Sequence, residues 1–168
     1  SGMDSPEESG TFYKLRYLDR PDLAWLDAIK VELYKSDVDH VMDNFSLRTP
    51  PNYMPPHMKA GRPMLRLTDT TSDTVGGRVV LSSSRGDTSV SYGLDLQRNE
   101  RTATLRNLDA PMPTALFLLW PDATIEQLGL FVEATSKLSA QRRVIYGLRL
   151  DRVKASADKA GVRPNAGS

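Results

Sequence analysis

This 168-residue sequence predicts an α+β domain: an antiparallel sheet closed by a C-terminal amphipathic helix, with extra helices on the N-terminal side. Three stretches carry that expectation. Thr114–Leu138 reads as an apolar strand (Ala115 to Trp120), a corner at Pro121-Asp122, and a helix whose greasy face is Ile125, Leu128, Phe131 and Val132. Residues 64–120 change to a period of two, with turn residues between candidate strands. Residues 19–45 place apolar side chains three and four apart, as helices do.

Taken in order, residues 1–10 are small and acidic and predict a disordered terminus, with Ser1-Gly2 ahead of Met3 reading as a remnant of tag cleavage. Thr11 to Leu18 alternates and predicts a strand. Asp19-Arg20-Pro21-Asp22 reads as a helix start, followed by Leu26, Ile29 and Leu33; Ser36-Asp37-Val38-Asp39 reads as a second start, followed by Val41, Met42 and Phe45. Five prolines between residues 49 and 63 exclude helix and central strand and predict a wrapping loop. Candidate strands follow at Met64–Thr68, Arg78–Ser82, Val90–Leu96, Thr102–Leu108 and Thr114–Trp120, with turns at Gly76-Gly77, Arg85-Gly86-Asp87, Arg98-Asn99-Glu100 and Asp109–Pro113. In the third strand Val90, Tyr92, Leu94 and Leu96 share one face. Leu94, Leu116, Leu118, Leu128, Phe131 and Val132 are the expected core. Arg142–Asp151 fits a strand and a helix; the helical reading makes residues 151–168 a basic helical extension and disordered tail beyond a single domain of residues 11–150.

Composition narrows function by exclusion. The net charge of +1 argues against wholesale polyanion binding, although residues 122–168 are mildly basic and residues 1–60 mildly acidic. The absence of cysteine removes disulfides, thiolate metal sites and thiol nucleophiles. No apolar run reaches the length of a membrane-spanning helix and no signal peptide opens the chain, which predicts a soluble, intracellular protein, cytoplasmic or nuclear.

The candidate chemistry is sparse. Asp37, Asp39, His40 and Asp43, with His57 elsewhere, are the only route to an oxygen-rich metal site or an acid/base pair; on a helix they equally form a solvated face. Arg85-Gly86-Asp87 matches the integrin-ligand tripeptide and also an ordinary turn. Gly76-Gly77-Arg78 is no phosphate loop, and Ser82 to Ser84 lack a nucleophile elbow. Arg142, Arg143, Arg149, Arg152 and Lys154 are candidates for phosphate or nucleic-acid contact; Tyr53, Met54, Met58 and Trp25 are candidates for a protein contact.

The order of elements from Thr102 to Leu138, hairpin strands passing near a tryptophan into one closing helix, resembles the PH-like superfold, in particular its EVH1-type branch. That resemblance implies a binding module for phosphoinositides, proline-rich peptides or partner proteins, and two acids in the Asp69–Gly77 loop disfavour the lipid headgroup. A generic α+β sandwich is the competing architecture. The sequence thus predicts a non-enzymatic interaction or scaffolding module without a cofactor or metal, whose partner is another protein. A nucleic-acid accessory domain is the alternative, and an Asp/His metalloenzyme a remote third.

Overall fold

The computed structural model describes residues 3–53, 61–108 and 114–158. The described residues contain no helix. They form one six-stranded antiparallel sheet in which every strand pairs with its neighbours along the chain: β1 (Asp4–Asp19), β2 (Ala28–Asp43), β5 (Arg66–Arg85), β6 (Thr88–Asn107), β7 (Thr114–Ser139) and β8 (Arg142–Ala157). The two-residue strands β3 (Asn52–Tyr53) and β4 (Arg62–Pro63) pair with each other within the β2–β5 connection. At one end, called upper below, lie the 44–65 and 108–113 connections; at the lower end lie 20–27 and the tight turns at 86–87 and 140–141.

The α+β expectation is therefore corrected to all-β, and the PH-like resemblance fails with it. The first supposed N-terminal helix is the 20–27 connection followed by the start of strand β2, and the second is the rest of β2, because Ile29, Val31 and Leu33 alternate with Lys30, Glu32 and Tyr34, and this period of two outweighs the coincident helical spacing of Leu26, Ile29 and Leu33. The closing helix is the second half of β7. Pro121 and Asp122 do not end the strand: Asp122 takes a left-handed φ of 51°, the register to β6 slips there, and pairing resumes at Ala123. Gly76-Gly77 and Arg98-Asn99-Glu100, expected as turns, lie within β5 and β6. Arg85-Gly86-Asp87 does turn the chain, with Gly86 at a φ of 54°. Residues 4–10 lie in β1, and the expected helical extension from Leu148 is strand to Ala157. The remainder of the expected tail, and the Asp109–Pro113 turn, fall outside the described residues.

Among the described residues no hydrophobic core of the usual kind forms. The buried apolar residues among those described are Leu26, Ala103 and Ala134, and no large side chain is fully buried. The accessible surface is 12082 Å², against roughly 8,000 Å² for a compact monomer of this mass. The two uncovered faces of the sheet contribute to the excess. The predicted core residues separate accordingly: Leu94, Leu128 and Val132 project from one face and Phe131 from the other, as the pairing dictates, while the side chains of Leu116 and Leu118 lie outside the described residues.

Local stability is concentrated at the upper end of β2. Asn44 ties both ends of the long connection together, donating from Nδ2 to the Met64 carbonyl at 2.8 Å and accepting at Oδ1 from the Arg66 amide at 2.8 Å. Asp43 is buried beside it. Burial pushes its carboxyl up, but hydrogen bonds from the Ser46 hydroxyl and from the Ser46 and Phe45 amides outweigh this and hold it below the ordinary carboxylate range. A group lowered in the folded state adds stability above its unfolded pKa, about 3.9, and loses it as pH falls through the folded value. Replacing Asp43 by Asn should therefore destabilise at pH 7 and bring denaturation midpoints progressively closer to wild type below about pH 4.

Candidate functional site: the two faces of the sheet

Direct pairing places opposed residues on one face, so the register sorts every side chain. One row crosses all six strands as Leu15, Leu33, Gly77, Leu96, Leu128 and Arg152. Around it the same face carries an apolar band: Tyr13 to Tyr17 on β1, Ile29 to Leu33 on β2, Val75 to Leu81 on β5, Val90 to Leu96 on β6, Leu128 to Ala134 on β7 and Val144 to Leu150 on β8, each at alternate positions. Most of these side chains are exposed, up to 74% for Leu148. Charged and polar residues bound the band. Its upper edge is Lys35, Asp73, Arg98, Glu126 and Arg152; its lower edge includes Asp19, Ser83, Thr88 and Ser136.

The band does not follow the rows. Its centre moves from Leu15 on β1 to Gly147 on β8, about five residues below Arg152 in the Leu15 row, over five strand-to-strand steps. A drift of about one residue per strand, about 3.3 Å along against 4.8 Å across, means that strands cross a level apolar layer at about 35° to its normal.

The opposite face is polar. Arg16, Glu32, Arg78, Asp95, Gly129 and Asp151 are opposed in one row, alternating in charge except at the glycine. Arg149, one pair away on β8, lays its guanidinium over that glycine and completes the alternation, with Nη1 2.5 Å from Asp95 and Nη2 2.7 Å from Asp151. Arg78 Nε reaches Asp95 at 3.3 Å and its guanidinium lies 4.6 Å from the centre of the Phe131 ring. Glu32 accepts from Arg16 at 2.7 Å, with Lys30 and Lys14 at 3.3 and 3.5 Å. Gly93 has no room for a Cβ against the Phe131 ring and the Val79 carbonyl, and Gly76 has none against Tyr34. The glycines let large side chains lie flat along this face.

The expected sites do not assemble. Alternation sends Asp37, Asp39 and Asp43 to the apolar-band face and His40 to the polar face, and no three His, Cys, Asp or Glu residues among those described are placed to hold a metal ion. The basic residues of β8 divide likewise: Arg143 and Arg149 go with the polar face, Arg152 and Lys154 with the other, and Arg149 is already paired. Trp25 is exposed in the β1–β2 connection and Tyr53 lies in β3; Met54, Met58 and His57 fall outside the described residues. Sequence reading missed the polar-face row, whose pairs join residues up to 54 apart in the chain, as Asp95 and Arg149 are.

No family model and no curated protein sequence matches the chain. Among solved structures it is similar to "Copper transporter OprC", with 30% identity and a TM-score of 0.74 over 92% of this chain. The chain spans 23% of that protein's length. This likeness overturns the expectation of an intracellular PH-like scaffold: the sheet shares its form with part of a transporter. No helix among the described residues is long and apolar enough to cross a membrane.

Two variants check the polar row. Arg149→Met leaves Asp95 and Asp151 facing each other across Gly129 and should lower the denaturation midpoint, modestly because the pairs are partly exposed. Adding Asp95→Asn should return part of that loss, as read from denaturation midpoints. Gly93→Ala should cost about 1–3 kcal/mol by pressing on Phe131 and the Val79 carbonyl.

Proposed function

We propose that the chain is part of the wall of a membrane-spanning β-barrel that transports a soft metal ion, with copper as the cargo. One observation carries the reading. A band of exposed apolar side chains crosses all six strands on one face at a steady slant, while the other face carries a paired ladder of charges. Membrane barrels require this arrangement: lipid-facing apolar and lumen-facing polar residues alternate on strands tilted about 35–45°. Val75 to Leu81 covers about 20 Å along β5, of the order of the apolar band of such barrels, about 25 Å tall. Tight turns at 86–87 and 140–141 and the long connection at 44–65 fit the asymmetry of barrel ends. Strands β1 and β8 each pair on one side only, and in this reading further strands of the wall continue the sheet there.

The cargo follows from where the soft ligands fall in the topology. All six methionines and both histidines belong to the upper end or to the segments joining strands there: Met3 ahead of β1, His40 and Met42 near the end of β2, Met54, His57, Met58 and Met64 between β2 and β5, and Met112 between β6 and β7. Thioether ligands select Cu(I), and imidazole suits copper as well. In a chain without cysteine these are the soft ligands available. The name of the structural neighbour points to the same ion. The chain is not an enzyme in this reading; it guides an ion past a paired polar wall.

Two experiments test the two halves. Leu130→Arg, in the apolar band, should cost about 2–4 kcal/mol of folding stability in lipid vesicles, whereas Gln127→Arg, on the polar face, should cost little. Equal costs would refute the wall reading. Replacing Met54 and Met58 by Leu and His57 by Ala should lower Cu(I) affinity about tenfold or more in competition with a chelator, and unchanged affinity would remove copper capture while leaving the wall intact.

A further inference from the structure

We propose that the outward face of β6–β8, at the upper edge of the apolar band, binds a membrane lipid through its phosphate headgroup, with an acyl chain lying in a groove over Gly77. The proposal rests on the membrane reading and adds a specific ligand to it.

The groove exists because Gly77 stands without a side chain in the row between Leu33 and Leu96. It is an open concavity of about 710 Å³ whose apolar walls are Leu33, Val75, Leu96 and Leu128. Its charged rim has three cations to one carboxylate: Arg98, Arg152 and Lys154 border it together with Glu126. Arg98 and Arg152 are the first residues past the band on their strands, and Lys154 is the next outward-facing position on β8. The slant of the band brings this about, since on β8 it ends at Leu150 and leaves Arg152 at headgroup level.

Charge selects the occupant. Arg98 is paired with Glu100 at 2.5 Å, but no carboxylate among the described residues lies within ion-pair distance of Arg152 or Lys154. On β2 and β5 the same edge is net acidic, with Lys35 held by Asp37 at 3.0 Å and a second carboxylate, Asp73, opposite Asp37. Cationic side chains above a trough of apolar ones match an acyl chain ending in phosphate, which guanidinium and ammonium groups bind by charge-assisted hydrogen bonds. Glu126, opposed to both Arg98 and Lys154, works against an anion there.

The test measures lipid retained by the full chain folded in neutral detergent, using phosphatidic acid, phosphatidylcholine and diacylglycerol of identical acyl chains. Phosphatidic acid should be retained about tenfold or more above diacylglycerol, since each Lys or Arg near a lipid surface contributes about 1 kcal/mol. The Arg152→Gln/Lys154→Gln double variant should erase that preference, and Glu126→Gln should enlarge it. Circular dichroism confirms that each variant keeps its strands, and Arg98→Gln, on a strand paired at both sides, should lower the preference if the double variant does not fold. Equal retention of phosphatidic and diacyl lipids, or a preference untouched by these variants, overturns the headgroup site alone. Retention of none of the three lipids overturns the membrane reading together with it. Inorganic phosphate binding as tightly as phosphatidic acid also overturns the proposal, because the groove would then contribute nothing.

Discussion

Cross-strand register is the constraint on which everything else in this molecule depends. Once Leu15 faces Leu33, and the row runs on through Gly77, Leu96 and Leu128, the two-residue period of extended backbone fixes the face of every other side chain. A slip of one residue in any strand would put Glu32, Asp95 or Arg149 among leucines. Each face reinforces the register by different chemistry: the apolar face only by exclusion from water, the polar face by pairs that meet in one alignment.

The polar face shows how the sheet stays thin. Arg149, Phe131 and Tyr34 lie flat over Gly129, Gly93 and Gly76, so that bulk is traded across neighbouring strands and the surface stays thin. The charges in the row are mutually satisfied, leaving a surface that is polar without a strong sign.

Much of this was legible in the sequence, and part of it was misread for physical reasons. The period of two between Val90 and Leu96 was plain, and the same signal was present at Ile29 to Tyr34 and at Leu128 to Ala134. In both latter stretches some apolar residues also fall three and four apart, and Phe131, an aromatic on the polar face, breaks the alternation and completes a helical stripe. The β-branched residues Ile29, Val31 and Val132 favoured strand and could have decided the matter. Gly76-Gly77 looked like a turn because glycine usually supplies one; here it makes room for Tyr34 on one face and opens the groove on the other. Pairs such as Arg149 with Asp95 depend on register across three strands and have no local signature. An apolar face with nothing to cover it cannot be told from a core face by sequence pattern alone, and the intracellular reading rested on a search for apolar helices, which strands of this kind do not register.

The absence of cysteine makes the central claim directly measurable, because a single cysteine placed anywhere carries a spin label without competition. Labels at successive positions from Gln127 to Ala134, in the chain reconstituted in bilayers, should alternate in contact with oxygen dissolved in the acyl layer and with a water-soluble nickel chelate. Positions 128, 130, 132 and 134 should be lipid-exposed and the intervening positions water-exposed, and the deepest label should shift from Leu15 on β1 to near Gly147 on β8. Labels that follow a helical period, or that meet water equally on both faces, would contradict the account.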